Sequence, residues 1–211
     1  MIPDSISCVK LDGQIWNTAI DERNTLIYLD VRGQQDQSIH VIEFDLISLK
    51  VTSKTFDLAW WTQLIEVVDG NLYFVEYRDQ NDPTNKKYFK LSWDDGNREG
   101  IEELPNLKKE LKHPHIYEHG GSYHKTVADF LSMELPLSCE YLEWDDKIII
   151  SYYLRSGNGF DRFILLLQDG KKVWKVKQDE QMKGFSSGSF FVFQEQLIFI
   201  KDRNEVCVFP G

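Results

Sequence analysis

The sequence predicts an all-β fold in which a short antiparallel meander recurs about four times along the chain. Four strand-like runs each end in arginine, and each follows a short apolar run and a polar turn. The first three runs are also followed by a loop of turn-forming residues and another alternating run, as expected for β-hairpins in series. The four runs are Thr25–Arg32 (TLIYLDVR), Asn71–Arg78 (NLYFVEYR), Lys147–Arg155 (KIIISYYLR) and Gln196–Arg203 (QLIFIKDR).

Asp-Gly pairs mark turns between these runs. Asp-Gly favours tight hairpins because both residues tolerate the positive φ angles that such two-residue turns require. Pairs of this kind lie between apolar runs at 12–13, 69–70, 95–96 and 169–170. Their positions support a meander in which successive strands are antiparallel neighbours.

The repeat is regular except for one interruption. The first apolar residues of the arginine-ending runs are Leu26, Leu72, Ile149 and Leu197, which gives spacings of 46, 77 and 48 residues. The long spacing therefore contains an insertion of roughly 30 residues beyond a repeat of ordinary length. We place this insertion at about residues 102–136, and we expect residues 1–211 to form a single domain.

Each repeat resembles one blade of a β-propeller. Asp169–Trp174 (DGKKVW) resembles the outer-strand turn of quinoprotein-type and related blades, and Asp45–Val51 (DLISLKV) is a looser version. The four repeats do not share the Trp-Asp and Gly-His signatures of WD repeats or the paired glycines of kelch repeats. The resemblance is therefore to β-propeller repeat proteins in general. It implies a small propeller-like array of about four antiparallel blades, and quinone binding does not follow from it.

The fourth repeat stops after its third strand, at Cys207–Phe209, which would leave an open sheet edge. A further strand-like run, Ile6–Leu11 (ISCVKL), precedes the first repeat. We expect this N-terminal strand to close the array by pairing with the fourth repeat. A β-sandwich or an irregular meander is the alternative, because alternating β sequences generally resemble one another.

The composition argues against several classes of partner and location. The net charge of −10, with no long run of Lys or Arg, disfavours binding to nucleic acid. No apolar run is long enough for a membrane span and the N-terminus does not resemble a signal peptide, so we expect a cytoplasmic protein outside the membrane. Cys8, Cys139 and Cys207 are odd in number and lie far apart in apolar runs, which favours buried thiols over a disulfide.

The insertion combines helix-like spacing, around Leu107–Leu111 and Lys125–Met133, with a histidine-rich loop between the two segments. Imidazoles bind zinc and other divalent transition metals, so this loop is a candidate metal site. Its spacing matches no established metal motif, and the alternative is a solvated or capping loop whose histidines form hydrogen bonds. The candidate ligands are His113, His115, His119 and His124.

The arginines that end the repeated runs point to a second kind of site. In a propeller, the loops that follow these runs emerge on the same face as the insertion. Guanidinium groups there, beside tyrosines of the insertion, would suit a small anionic ligand with a carboxylate or phosphate group. Alternatively, each arginine pairs with a nearby acid and ties strands together. The candidate residues are Arg32, Arg78, Arg155, Arg203, Tyr117 and Tyr123.

These observations predict a non-enzymatic domain that binds a ligand or a protein, with no assigned cofactor. The sequence contains no Gly-x-Ser-x-Gly nucleophile motif. The alternative is a metal-dependent enzyme or sensor in which the His113–His124 loop holds a divalent transition metal and the arginines orient an anionic substrate. The sequence is also compatible with a homo-oligomer, because a small ring can bury apolar faces against a second copy.

Overall fold

The computed structural model describes residues 5–21, 25–32, 39–78, 82, 84–105 and 111–210. Over these residues the chain is all-β, as predicted, with four antiparallel sheets and one helix. The elements in chain order are β1 (Ser7–Lys10), β2 (Gln14–Asp21), β3 (Leu26–Arg32), β4 (Ile39–Asp45), β5 (Val51–Phe56), β6 (Thr62–Val68), β7 (Asn71–Tyr77), β8 (Lys86–Ser92), β9 (Arg98–Ile101), β10 (His115–Tyr117), α1 (Ser122–Leu131), β11 (Cys139–Trp144), β12 (Lys147–Ser156), β13 (Gly159–Gln168), β14 (Lys171–Met182), β15 (Phe190–Phe193), β16 (Gln196–Lys201) and β17 (Glu205–Pro210).

The chain divides into two compact units. The N-terminal unit is Leu11–Glu110, and the C-terminal unit combines Met1–Lys10 with Leu111–Gly211. Each unit contains two of the four sheets. The expectation of a single domain over residues 1–211 stays a prediction.

The N-terminal unit consists of two meanders, β2-β3-β4-β5 and β6-β7-β8-β9, in which each strand pairs with the next along the chain. The arginine-ending runs supply the second strand of each meander, β3 and β7, as the repeat predicts. Side chains from both sheets share one core, where the Tyr28 ring packs edge-on against Trp93, and Phe74 stacks on Phe89. Burial of these aromatic rings supplies much of the stabilisation of this unit.

The C-terminal unit contains a five-stranded sheet of order β10-β11-β12-β13-β14 and a four-stranded sheet of order β1-β17-β16-β15. The predicted pairing of the N-terminal strand is confirmed, because β1 runs antiparallel to β17 and Ser7 lies opposite Val208. The two sheets of this unit share an apolar core that includes Trp144, Trp174 and Phe199. The edge that the fourth repeat would leave open is therefore covered by a strand from the other end of the chain.

The expectation of three buried thiols is wrong for two of the cysteines. The β1–β17 register places Cys8 directly opposite Cys207, with their Cα atoms 4.1 Å apart, and the two residues form a disulfide. Cys139 remains a buried free thiol, and burial raises its pKa to about 11. Strand register decides which side chains meet across a sheet. The number and spacing of cysteines in a sequence do not determine this register, so they did not predict the disulfide.

Two of the predicted Asp-Gly turns have the positive φ angles expected at both positions. Asp69 and Gly70 have φ of 48° and 72°, and Asp169 and Gly170 have φ of 50° and 70°. Gly13 has a different role, because a Cβ atom at this position would lie 2.8 Å from the carbonyl oxygen of Arg32. Glycine is needed there for close approach of two backbones as well as for its φ of 122°.

The predicted insertion adds structure to the C-terminal unit. It supplies β10, the fifth strand of its sheet, and helix α1, which begins three residues before the predicted start at Lys125. The helix ends at Ser132, whose left-handed conformation lets its backbone N–H bond to the carbonyl of Asp129. The other predicted helix lies almost wholly outside the described residues, since 106–110 are not described. No helix in the described ranges is long and apolar enough to cross a bilayer.

Candidate functional site

Three tyrosines stack in a row on one face of the five-stranded sheet. The ring of Tyr117 on β10 lies between those of Tyr123 on α1 and Tyr141 on β11, with centroid distances of 5.2 and 5.5 Å. The β10–β11 register pairs Tyr117 with Cys139 and His115 with Tyr141, so strand alternation puts Tyr117 and Tyr141 on the same face. The structure thus brings together two tyrosines predicted from the sequence and adds a third.

Helix α1 forms one wall beside these rings. Val127 and Leu135 are buried against the sheet in a core that includes Ile150 and Leu165. Tyr123 and Phe130 lie four residues before and three residues after Val127, so they share its side of the helix, and 69% of Tyr123 and 51% of Phe130 remain exposed. Large exposed aromatic side chains beside a groove are typical of a binding surface.

The helix and the sheet enclose a groove of about 310 Å³, which is the size of a small ligand pocket. Most of its lining is aromatic or aliphatic, and it contains one ionisable carboxyl group, that of Glu143. The lining residues are Tyr117, Tyr123, Thr126, Val127, Phe130, Tyr141, Glu143 and Ile148.

Glu143 accepts a hydrogen bond of 2.9 Å from the hydroxyl of Tyr141. Within the described part of the chain, no basic side chain lies within ion-pair distance of this carboxylate. Burial and the hydrogen bond to Glu143 raise the pKa of Tyr141 to about 12, and burial followed by the charge of Glu143 raises that of Tyr117. The rings of Tyr117 and Tyr141 are therefore neutral near pH 7, and the groove presents their π faces beside the carboxyl group of Glu143.

The predicted histidine cluster is not assembled as a metal centre in this structure. His124 is buried, and its two ring nitrogens are engaged by the backbone N–H of Gly120 and the carbonyl oxygen of Leu137, at 3.4 and 2.9 Å. A ring that uses one nitrogen to accept and the other to donate has no free lone pair for a metal. His124 therefore fastens the loop to the segment that follows the helix.

The other three histidines are exposed. The ring of His119 lies edge-on to that of His124, with centroids 5.0 Å apart, whereas His113 lies near Phe191 and His115 is on β10. Over the described residues, no group of three or more closely spaced His, Cys, Asp or Glu side chains includes a histidine. The arrangement agrees with the alternative interpretation, a loop whose histidines form hydrogen bonds and ring contacts.

The four predicted arginines differ in their surroundings. Arg32 is only 2% exposed and forms an ion pair with Asp30 at 3.1 Å. Its guanidinium also donates to the carbonyl oxygens of Trp60 and Thr62, and it lies 4.9 Å from the ring of Trp16 and 5.0 Å from that of Trp60. This group is enclosed and fully engaged, as the ion-pair alternative predicts, and it has no surface left for an anion.

Arg78, Arg155 and Arg203 are exposed. Arg155 lies 5.5 Å from the ring of Phe160, and Arg203 makes a weak 4.0 Å contact with the sulfur of Met182. Glu76, an acid two residues from Arg78, pairs instead with Arg98 and Lys87. Within the C-terminal unit, these contacts of Arg155 and Arg203 do not involve Tyr117 or Tyr123.

Sequence reasoning missed a buried polar network on the other face of the five-stranded sheet. Arg162 forms an ion pair with Asp179, and Glu140 accepts from the backbone N–H groups of Gly188 and Ser189. Burial raises the pKa of both Glu140 and Asp179, although Arg162 opposes this rise in each case. The network fastens the loop at 183–189 to the sheet. In the sequence, the one indication of this network is that charged residues occupy strand positions that face the core.

The groove residues that sequence reasoning missed are Tyr141, Glu143 and Phe130. Tyr141 and Glu143 alternate in CEYLEW and so share one face of β11, a signal that could have found them. No protein-family model and no curated protein sequence matches this chain.

Proposed function

We propose that the chain is a binding domain whose ligand places a cationic, partly apolar group in the tyrosine groove. The observation that carries this proposal is the row of three stacked tyrosine rings next to Glu143, a carboxylate with no basic partner among the described residues. Aromatic faces attract organic cations, and a nearby carboxylate adds a direct charge attraction.

Size and polarity narrow the ligand class. A groove of about 310 Å³ is at the lower end of the usual range for ligand pockets, so it suits one side chain or a small molecule. Its largely aromatic and aliphatic lining favours an alkylated ammonium or the aliphatic stem and ammonium of a lysine over a bare metal ion. The net charge of −10 further favours the approach of cations.

Titration with choline, and with its neutral isostere in which carbon replaces nitrogen, tests the proposal by calorimetry and by NMR of the tyrosine rings. Choline is expected to bind about tenfold more tightly than the isostere, because only the cation gains from the π faces and Glu143. A short peptide with a single lysine tests whether the cation comes from a protein partner. Equal binding of choline and isostere, with no shift of the Tyr123 signals, contradicts the proposal.

Four variants test whether the groove is the binding site. Glu143→Gln is expected to weaken choline binding about fivefold, whereas Glu99→Gln makes the same change in net charge at an exposed position of β9 and leaves binding unchanged. Tyr123→Phe keeps the π face and retains binding, whereas Tyr123→Ala loses it. If Glu99→Gln lowers the affinity as much as Glu143→Gln, the attraction is one of net charge and the groove is not the site.

The other expectations from the sequence remain predictions. The alternative of a metal-dependent enzyme or sensor at the His113–His124 loop has less support, since His124 is engaged by backbone groups at both ring nitrogens. The propeller arrangement of the four meanders, the small anionic ligand, the cytoplasmic location, the absence of nucleic-acid and membrane partners, and the homo-oligomer are also untested. Phosphate-induced thermal stabilisation that is lost on replacing Arg78 and Arg155 together would favour the anion.

A further inference from the structure

The β1–β17 pairing gathers three metal-ligating side chains in the C-terminal unit. The sulfur atoms of Cys8 and Cys207 and a carboxylate oxygen of Glu205 all lie within 4.8 Å of one another. Strand geometry accounts for this, because Glu205 and Cys207 are two residues apart on one face of β17 and Cys8 lies directly opposite Cys207. No other group of three or more His, Cys, Asp or Glu side chains is as closely spaced in the described ranges.

We propose that this cluster is a redox-controlled metal site, distinct from the tyrosine groove. With the disulfide reduced, the two thiolates and Glu205 bind a divalent transition metal, zinc in particular, and disulfide formation excludes the metal. Zinc takes thiolate and carboxylate ligands at about 2.0–2.3 Å, so side-chain rotation suffices to bring three donors of this spacing around one ion. A water molecule would complete the tetrahedral set.

The disulfide form and the dithiol form interconvert by thiol–disulfide exchange. A dithiol reductant gives two electrons and two protons to the Cys8–Cys207 bond and becomes a disulfide, leaving two protein thiols. Both thiol protons are released when the metal binds, because thiolate is the ligand form. In a reducing compartment, such as the cytoplasm predicted from the sequence, the thiols are the maintained form and the metal-binding state is favoured.

The surroundings of Glu205 permit this change of partner. Lys201 lies 3.0 Å from one carboxylate oxygen of Glu205 and also pairs with Asp202, so it keeps an acidic partner if Glu205 turns to a metal. Lys10 lies opposite Glu205 in the strand register. Two thiolates and one carboxylate around a divalent ion leave one net negative charge, which these lysines offset.

Zinc and cobalt titrations of the full chain in both redox states test the site. The reduced protein, freed of reductant under anaerobic conditions, is expected to bind one zinc per chain. With cobalt it is expected to show the thiolate-to-cobalt charge-transfer band in the near ultraviolet. The oxidised protein is expected to show neither. Because both redox forms are of the wild-type chain, this test does not depend on whether a variant folds.

Substitutions assign the ligands. Cys8→Ser and Cys207→Ser are expected to abolish the cobalt band, and Glu205→Gln to weaken zinc binding about tenfold while the disulfide still forms. Cys139→Ala is the matched control, because it removes the remaining cysteine and is expected to leave both readouts unchanged. Absence of zinc binding by the reduced wild-type protein, an unchanged cobalt band in Cys8→Ser, or unchanged zinc affinity in Glu205→Gln overturns the proposal.

Discussion

Strand β11 carries two carboxylates, Glu140 and Glu143, that have opposite surroundings. Glu140 is 1% exposed and accepts hydrogen bonds of 2.6 and 3.3 Å from the backbone N–H groups of Gly188 and Ser189. Glu143, three residues further along, is exposed on the other face of the sheet and accepts one bond, from the hydroxyl of Tyr141. The odd spacing places the two side chains on opposite faces.

The comparison separates a structural polar group from one that is available to a ligand. On the Glu140 face, Arg162 pairs with Asp179 and the hydroxyl of Tyr153 bonds to the backbone of Ser186, so these polar groups have partners inside the protein. On the groove face, Glu143 keeps most of its acceptor capacity next to aromatic rings. Several internal partners are typical of a structural role, and the single partner of Glu143 among the described residues is the basis for proposing a site on the second face.

The largest expected effect comes from breaking the buried pair. Arg162→Ala leaves Asp179 as an uncompensated buried charge, and we expect the free energy of unfolding to fall by about 3–5 kcal/mol in chemical denaturation. Arg155→Ala removes an exposed arginine and is expected to change it by less than about 0.5 kcal/mol. Similar small losses in both variants would mean that the Arg162–Asp179 pair does not organise this face.

A smaller effect is expected beneath the groove. Val127→Ala removes two buried methyl groups between α1 and the sheet, and we expect a loss of about 1–2 kcal/mol in unfolding free energy. Because α1 forms a wall of the groove, choline binding is expected to weaken as well. Ser122→Ala changes an exposed residue of the same helix outside the groove lining and serves as the control. Unchanged binding in Val127→Ala would show that helix position does not determine affinity.

The contribution of Glu140 to folding stability is expected to depend on pH. Burial raises its folded-state pKa above the unfolded value of about 4.3, so above that pH the native state holds a proton that the unfolded state has lost. Wild-type stability relative to Glu140→Gln is therefore expected to be greatest at low pH and to fall as pH rises through the folded pKa. Denaturation midpoints across this range measure it.

Ser122→Ala, at an exposed position of α1, is the control for that titration because it changes no titratable group. The stability of Glu140→Gln minus that of the wild type is expected to rise with pH, whereas the same difference for Ser122→Ala is expected to stay constant. Asp179, whose pKa burial also raises, is present in all three proteins, so its contribution cancels in both differences. A rise of equal size in the two variants would contradict the assignment of the slope to Glu140.

The smallest expected effect comes from Tyr141→Phe. This change removes one hydrogen bond to an exposed carboxylate and keeps the stacked ring, so we expect less than about 1 kcal/mol of destabilisation. It also frees the carboxylate of Glu143 for a cation, and choline affinity is expected to stay the same or rise slightly. A marked loss of affinity would show that the hydroxyl itself contacts the ligand.

The all-β class and some strand pairings were predictable from the sequence, whereas the propeller arrangement stays a prediction. The recurring strand pattern located the second strand of the first two meanders, and the surplus N-terminal run indicated the pairing of β1 with β17. Both follow from period-two alternation and from the need to cover an open edge, which are local properties of the chain. The Cys8–Cys207 disulfide was missed, because it depends on register between strands 199 residues apart.

The site was predictable only in part. Tyr117 and Tyr123 stood out as aromatic residues of the insertion, but their partner Tyr141 lies outside it and meets them through the added strand β10. The histidines were close in sequence and drew attention for that reason, yet a strand, a turn and a helix distribute them to different surroundings. Arg32 looked like its counterparts in the other repeats, and only its burial between Trp16 and Trp60 distinguishes it.

The pairing of β1 with β17 also has a consequence during synthesis. Strand β1 is synthesised well before its hydrogen-bonding partner β17, because Cys8 precedes Cys207 by 199 residues. At about 5–20 residues per second, β1 waits roughly 10–40 s for its neighbour. For that interval it is a nascent strand with an unsatisfied backbone, available to chaperones or to a neighbouring nascent chain on the same message.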